Sequence, residues 1–277
     1  MTTIPEMIHA RFAIDTARGT GITASETIEC VLSRRAVRRY KDEEVQEGLV
    51  DVLLACAQSA PTKSNLQQYS IIIVRDPIVK SKLQELCPKT DWLASSPVFL
   101  VFCADMRRNQ RISEFRGYEH ANNNLDTLVN ATVDAALVIQ CVNAASESIH
   151  LGCAPISEVR NEIEEVTNIL TLPKGVFPIS GLTVGWPAAE GYVNQRLPSN
   201  VVVHQDVYDD ELLETDIELY DQRRHDIFPI TPNRQLHADK YGTADVCTWS
   251  ENVARQLSVS ERSNLREYLK NQGFELS

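Results

Sequence analysis

Apolar residues recur along this chain with two periods, and the breaks between them outline the predicted elements. Residues 1–32 read as helical, with Thr23 and Glu26 spaced as a capping box and Ile28, Val31 and Leu32 on one face. A second helix is expected from an Asp42 N-cap, because Val45, Leu49, Val52, Leu53 and Cys56 recur at helical spacing; it should stop before Pro61. Ala60–Tyr69 is polar and turn-like. Tyr69–Arg75 is β-branched and apolar throughout, which predicts a buried central strand. A short helix should follow Asp76-Pro77, and Pro97 introduces a second buried strand, Val98–Ala104.

The longest helical stretch is 120–150, where Leu125, Leu128, Val129, Thr132, Ala135, Ala136, Ile139 and Val142 fall three and four apart. The band is wide and broken by small residues, so this helix is expected to be buried on most sides, with Gly152 as its C-terminal stop. A helix over Glu158–Leu170 and a strand over Ile179–Trp186, closed by Pro187, follow. An extended arm is expected at 187–208, then helices at 209–227 and 249–272 around a loop at 229–248. Helices and strands interleave without a βαβ rhythm, which points to an α+β fold rather than a doubly wound sheet.

Charge and cysteine usage narrow the partners. The chain has 27 Lys and Arg against 38 Asp and Glu, a net charge of −11. Such a surface repels phosphate backbones and anionic lipid, so neither nucleic acid nor a membrane is expected as a partner. The seven cysteines are scattered, odd in number and without a CxxC pair, which suits a reducing cytoplasm. The N-terminus carries no apolar run of signal-peptide length, and the runs Val98–Ala104 and Ala135–Ile139 are too short to span a membrane. The six histidines show neither HxxxH nor HxH spacing, so no metal site is expected. Rossmann, P-loop and nucleophile-elbow motifs are absent.

The sharpest local feature is the sequence SRRAVRRY at 33–40. Arg34, Arg35, Arg38 and Arg39 put four guanidinium groups within six residues, and they repel one another unless something anionic neutralises them. Two readings stand: a bound phosphate group, or a solvated turn paired with Asp42, Glu43 and Glu44. Thr62, Ser64, Asn65 and Gln67 then place four hydrogen-bonding side chains in a loop ahead of a buried strand. That loop is either a ligand contact or an ordinary polar turn.

Taken in order, SRRAVRRY, then APTKSNLQQYSIIIV at 60–74, SPVFLVFCAD at 96–105 and VDAALVIQCVNAASESIHLG at 133–152 resemble the nitroreductase superfamily. GLTVGWPA at 181–188, QRLPSNVVVH at 195–204 and the tail from TWSE at 248 to YLKNQGF at 268–274 resemble its NADPH-dependent flavin reductase and oxygen-insensitive nitroreductase branch. The resemblance implies an α+β fold with a central mixed sheet flanked by helices, in a single FMN-binding domain over 1–277. Residues 1–24 would be a helical extension, and 187–277 an arm and helices embracing a partner in an intertwined homodimer. It implies bound FMN, NADPH or NADH as co-substrate, and ping-pong hydride transfer to nitroaromatics, quinones or free flavin, with no catalytic side chain beyond the cofactor.

Carried over by position, Arg34, Arg35 and Ala36 match the phosphate-binding turn and Arg38 a basic residue near the flavin pyrimidine ring. Thr62, Ser64 and Gln67 match the loop contacting the flavin, and Pro155, Ile156 and Ser157 the segment along its ring. Arg196 matches a second phosphate ligand, with Asn194 where a lysine is usual. Arg234 and Lys240 are candidates for the extra phosphate of NADPH. The chain departs from the pattern at Ala36, which replaces a serine, and at Ser157 and Glu158, which replace glycines. Both side chains are expected near the ring edge, where a carboxylate opposes an anionic reduced flavin. Those departures keep open a specialised flavin-consuming or reductive-dehalogenating enzyme, or a flavin-binding module without turnover.

Overall fold

The computed structural model describes residues 2–277; Met1, the first residue of the expected N-terminal helix, lies outside the described residues. The helices are α1 (Ile4–Phe12), α2 (Glu26–Ser33), α3 (Glu47–Gln58), α4 (Pro77–Glu85), α5 (Arg107–Arg116), α6 (Leu125–Ser148), α7 (Ile163–Ile169), α8 (Ser199–Val202), α9 (Leu213–Ile227), α10 (Ala238–Tyr241), α11 (Trp249–Leu257) and α12 (Leu265–Asn271). The strands are β1 (Tyr69–Val74), β2 (Val98–Asp105), β3 (Gly152–Ile156) and β4 (Val176–Gly185). The chain divides into two compact units: Arg34–Tyr192 with Arg262–Ser277, and the residues up to Ser33 with Val193–Glu261.

The first unit holds the sheet, in the order β1-β2-β4-β3 with every pair antiparallel, so the strand expected at the centre over Tyr69–Arg75 is instead the half-buried edge strand β1. Its one parallel element is a bridge between Ala36 and Cys153. Alternation along β2 splits the core into two layers. Val98, Leu100, Phe102 and Ala104 join Val50 and Leu53 of α3 and Ala131, Ala135, Val138 and Val142 of α6. Phe99, Val101 and Cys103 face the other way, onto Leu83 of α4, Leu93 and Val166 of α7. Period-two side chains that are apolar on both faces need a helical layer on each side, and the chain provides both. Burying each large apolar side chain contributes roughly 1.5–3 kcal/mol, so the two layers dominate the stability of this unit.

Several expectations change. Asp42 caps nothing, because residues 41–46 form no helix: Tyr40 bridges Pro187 and the Lys41 amide donates to the Trp186 carbonyl (2.8 Å), so α3 waits until Glu47. The expected first helix is two. Residues 13–25 are not helical, and Gly19 and Gly21 adopt φ of 80° and 77°. Ser25, not Thr23, then caps α2 through the Ile28 amide. The helix expected over 158–170 begins as a single 3-10 turn at Ser157–Arg160 before α7. The last expected helix is broken between α11 and α12, which fall in different units. β3 and α5 carry no clear periodic signal in the sequence, and the expected arm at 187–208 and loop at 229–248 each contain a short helix, α8 and α10.

The helix α6 is buried along one face only. Leu125, Val129, Val133 and Leu137 form a stripe with relative exposures of 48%, 51%, 50% and 38%. By length and mean hydropathy α6 is also apolar enough to cross a bilayer. Its buried face, however, carries Asp134, Asn143 and Ser146 and packs on α3 and the sheet, as a core helix does.

In the second unit, Tyr220 of α9 meets Trp249 of α11 edge-on at 5.2 Å. The buried Asp221 accepts from the Ser250 amide (3.0 Å) and hydroxyl, closing the start of α11.

Candidate anion-binding site

The basic segment is laid against the sheet by backbone geometry. The Val37 amide donates to the Cys153 carbonyl (2.9 Å), and the Tyr40 hydroxyl reaches the Val37 carbonyl and Thr183 Oγ1, both at 2.7 Å. Burial pushes the Tyr40 phenol well above its ordinary range, so it stays a neutral structural donor. Gly152 is required for this approach, since a Cβ there would meet the Val37 side chain at 2.5 Å. The structure therefore places Arg34–Arg39 alongside β3, whose far end carries Pro155, Ile156 and Ser157. Pro155 and Ser157 are exposed, whereas Ile156 is buried in the core.

Charge on this segment is not balanced. Arg34 lies 3.7 Å from Glu147, and Arg35 lies 3.9 Å from the exposed Glu190 while also donating to the Gly191 carbonyl (3.2 Å). Arg38 sits over the Trp92 ring, 5.3 Å from guanidinium carbon to centroid, and both it and Arg39 are exposed. Four guanidinium groups thus meet two carboxylates, and the paired carboxylates are not Asp42, Glu43 or Glu44. The arrangement leaves an excess of about two positive charges, the charge of one phosphate monoester.

Thr62, Ser64 and Gln67 sit on a loop fastened from two sides. Asp134 of α6, only 1% exposed, accepts from the Lys63 amide (2.9 Å) and the Gln68 amide (3.1 Å). Arg108 of α5 donates to the Gln67 carbonyl (2.7 Å) and the Tyr69 carbonyl (2.9 Å). Ser64, Asn65 and Gln67 all hold positive φ, at 49°, 57° and 53°. Each costs of order 1 kcal/mol in a non-glycine residue, so the loop keeps this shape because Asp134 and Arg108 impose it. Sequence inspection missed both residues; only contacts tens of residues away give them their role. Ser64 and Gln67 are exposed and Thr62 is half-buried.

Glu158 does not project where its position beside Ser157 suggests. It is 8% exposed, and its carboxylate turns inward to accept from the Lys89 amide (3.1 Å) and the Thr90 hydroxyl (2.6 Å). It ties down the loop that carries Trp92. Its negative charge also helps burial hold the Cys87 thiol up at about 12. The expected carboxylate at the ring edge is thereby corrected: of the two replacements, Ser157 alone faces outward.

The remaining predicted residues belong to the second unit. Asn194 and Arg196 are exposed on either side of the buried Gln195, and Arg11 of α1 holds the segment from below. Its guanidinium donates to the Asn194 carbonyl (2.8 Å), and its own carbonyl accepts from the Arg196 amide (2.9 Å). Arg234 is exposed in a 3-10 turn at Pro232–Arg234. Lys240 lies 4.9 Å over the Tyr241 ring and donates to the Ser258 carbonyl (3.5 Å).

The fold is a layered α+β architecture in which a cationic turn is bridged to a sheet strand. The chain belongs to the nitroreductase family: the model described as "Nitroreductase family" matches residues 31–186, and "Nitroreductase family, C-terminal domain" matches residues 194–277. It is similar to "FMN reductase (NADPH)" of Bacillus subtilis (strain 168), with 33% identity over 90% of this chain and 98% of that one. It is also similar to "Oxygen-insensitive NADPH nitroreductase" of Salmonella typhimurium, with 34% identity over 90% of this chain and 98% of that one. Among solved structures, B. megaterium NfrA2 superposes with a TM-score of 0.83 at 31% identity, covering 92% of this chain and all of the other.

Proposed function

We propose that the chain is an FMN-dependent NAD(P)H oxidoreductase working as a homodimer. One observation carries this reading: the Arg34–Arg39 segment is anchored to β3 by its backbone while its guanidinium groups outnumber the carboxylates that meet them. The donor set fits a phosphate monoester joined to a flat ring system. Arg34 and Arg35 hold the phosphate with the backbone at Ala36. Arg38, stacked on Trp92, presents positive charge toward the pyrimidine end of the ring. Thr62, Ser64 and Gln67 supply hydrogen bonds from a rigid loop, and Pro155, Ile156 and Ser157 supply the strand edge along the ring.

When bound, FMN supplies two-electron hydride chemistry. The chain's residues contribute grip, orientation and charge: guanidinium groups neutralise the phosphate, and Arg38 favours whichever ring state is more negative. One slot over the ring would serve the nicotinamide and then the acceptor. That supports ping-pong turnover with nitroaromatics, quinones or free flavin, in line with the names of the two bacterial relatives. NADPH is favoured over NADH if Arg234, exposed and less engaged than Lys240, grips the extra phosphate. The inward turn of Glu158 takes its carboxylate off the strand edge, and Ser157 remains there in place of a glycine as the departure on which a specialised enzyme or a module without turnover rests.

The α6 stripe supports the dimer. Leu125, Val129, Val133 and Leu137 recur every four residues on one exposed line, an apolar face that a soluble chain covers with a second copy.

The purified protein is expected to be yellow and to release FMN on denaturation. Arg35→Glu should abolish flavin retention while circular dichroism stays native; unchanged FMN content would move the phosphate site elsewhere. Oxidation of NADPH in the presence of a quinone, followed by nicotinamide absorbance, tests turnover. A colourless protein that FMN cannot restore would sink the proposal.

A further inference from the structure

Arg38 is an exposed side chain on a fixed backbone, and the Trp92 ring is the surface on which it rests. Its backbone is tied down nearby: the Val37 amide donates to the Cys153 carbonyl (2.9 Å), and the Tyr40 hydroxyl donates to the Val37 carbonyl (2.7 Å). The loop carrying Trp92 is pinned on both sides of the indole. Ahead of it, Glu158 accepts from the Lys89 amide (3.1 Å) and the Thr90 hydroxyl (2.6 Å). Behind it, Leu93 is fully buried, and its amide closes the turn onto the Thr90 carbonyl (3.0 Å). Two side chains of α4 complete the hold: Gln84 Oε1 accepts from the Ala94 amide (3.1 Å), and Lys80 Nζ donates to the Ser96 carbonyl (2.8 Å). The half-buried indole is therefore a rigid wall, with the Arg38 guanidinium carbon 5.3 Å from its ring centroid. All of these residues belong to the unit that holds the sheet.

We propose that Trp92 is a positioning residue: it holds the Arg38 cation in one orientation and thereby sets how strongly the protein prefers reduced over oxidised FMN. An arginine whose head stands in water samples many rotamers, and its charge is spread over all the places it visits. An aromatic face attracts a guanidinium electrostatically and by stacking, so the indole selects one of those arrangements. A cation fixed beside the pyrimidine end stabilises the reduced ring, which carries the additional negative charge, more than the neutral oxidised ring. Trp92 makes no contribution to the phosphate grip, so its influence belongs in the ratio of the two affinities. This rests on the FMN reading above, and the experiment separates the two.

The experiment measures the affinity of cofactor-free protein for oxidised FMN, and the two-electron midpoint potential of the FMN-loaded protein by dye equilibration. Together they give the ratio of reduced to oxidised affinity. The series is wild type, Trp92→Leu, Trp92→Phe, Arg38→Met and the Trp92→Leu/Arg38→Met pair. Arg38→Met should lower the ratio about tenfold, which is about 30 mV for a two-electron couple. Trp92→Leu should lower it about threefold, the worth of a cation held on an exposed ring face, while oxidised FMN affinity moves by less than about twofold. Trp92→Phe keeps an aromatic face and should restore most of the ratio. The double variant should fall no lower than Arg38→Met alone, since Trp92 acts through Arg38. An unchanged ratio in Trp92→Leu or in Arg38→Met, equal losses for oxidised and reduced FMN, or a Trp92→Leu loss that persists without Arg38 would each overturn the proposal. If Trp92→Leu does not fold, Trp92→Met takes its place with the same expected values. A wild-type protein that binds no FMN would overturn the FMN reading itself, a result distinct from failure of the Trp92 proposal alone.

Discussion

Glu158→Ala is the substitution for which the structure gives the most definite outcome. The carboxylate is buried, no basic side chain pairs with it, and it serves two donors at 3.1 and 2.6 Å. Hydrogen bonds to a charged group contribute about 1.5–3 kcal/mol each. The Lys89 amide belongs to an exposed residue and recovers water, so its loss counts at the low end. The Thr90 hydroxyl, in a residue 5% exposed, stays dry and unpaired. Relief from keeping a desolvated charge offsets part of the loss, which leaves a net destabilisation of about 2 kcal/mol. In a chain of this size that is a fall in Tm of roughly 3–4 °C.

Glu158→Gln separates charge from geometry. Its amide oxygen keeps the Lys89 bond, and its NH2 donates to the Thr90 oxygen once that hydroxyl rotates, so the cost should be about 1 kcal/mol or less. Urea denaturation followed by tryptophan fluorescence measures both variants, with Trp92 on the tethered loop. The functional half of the prediction is that Glu158→Gln changes FMN affinity by less than about twofold, because the carboxylate faces away from the strand edge. A Glu158→Ala protein within about 0.5 kcal/mol of wild type, as for an ordinary surface site, would refute the buried tether. A large gain in FMN affinity on neutralising Glu158 would place the carboxylate near the ring after all.

Three further outcomes are expected. Asp134→Asn should cost about 2–3 kcal/mol and weaken FMN, because one of the two backbone amides it serves then faces an NH2; protease cleavage within residues 62–68 reports the loosened loop. Val133→Glu, on the exposed α6 stripe, should convert a dimer to a monomer in light scattering and reduce FMN retention with it. Alkaline stability should fall in a definite window: burial pushes the Cys87 and Cys103 thiols up to about 12 from an ordinary value near 9.0. The unfolded chain therefore releases these protons first, and the stabilisation present below about pH 9 drains away as pH rises toward 12, as denaturation at stepped pH would show.

What could be read in advance follows from how local each signal is. β1 and β2 are legible because Ile71–Val74 and Val98–Ala104 are apolar at consecutive positions, which suits only a strand covered on both faces. β3 is not, because Gly152 and Pro155 argue against a strand. It exists because β4 pairs with one side of it and residues 36–37 with the other. The cationic turn is visible as charge density, and the family pattern identifies its partners. Asp134 and Arg108 are invisible for the opposite reason: each is an ordinary charged residue on a helix, and only backbone groups tens of residues distant make them the frame of the Thr62–Gln67 loop. Glu158 was misplaced because a position in a strand-to-turn junction does not say which way a side chain turns.

The helix α6 shows the limit most clearly. Its apolar positions circle most of the helix, and from one sequence that reads as burial inside one chain. The structure resolves the band into two lines. One, through Leu128, Ala131, Ala135 and Val138, packs into the core; the other, through Leu125, Val129, Val133 and Leu137, faces out. Hydrophobicity records that a face avoids water, not which molecule covers it, so core and interface are indistinguishable in the pattern. A homodimer that shares α6 turns an apparent excess of apolar residues into a requirement: four exposed apolar positions on one helix carry no advantage for a monomer. The Val133→Glu outcome therefore bears on the whole assembly: a variant that stays dimeric would leave that stripe without a physical reason.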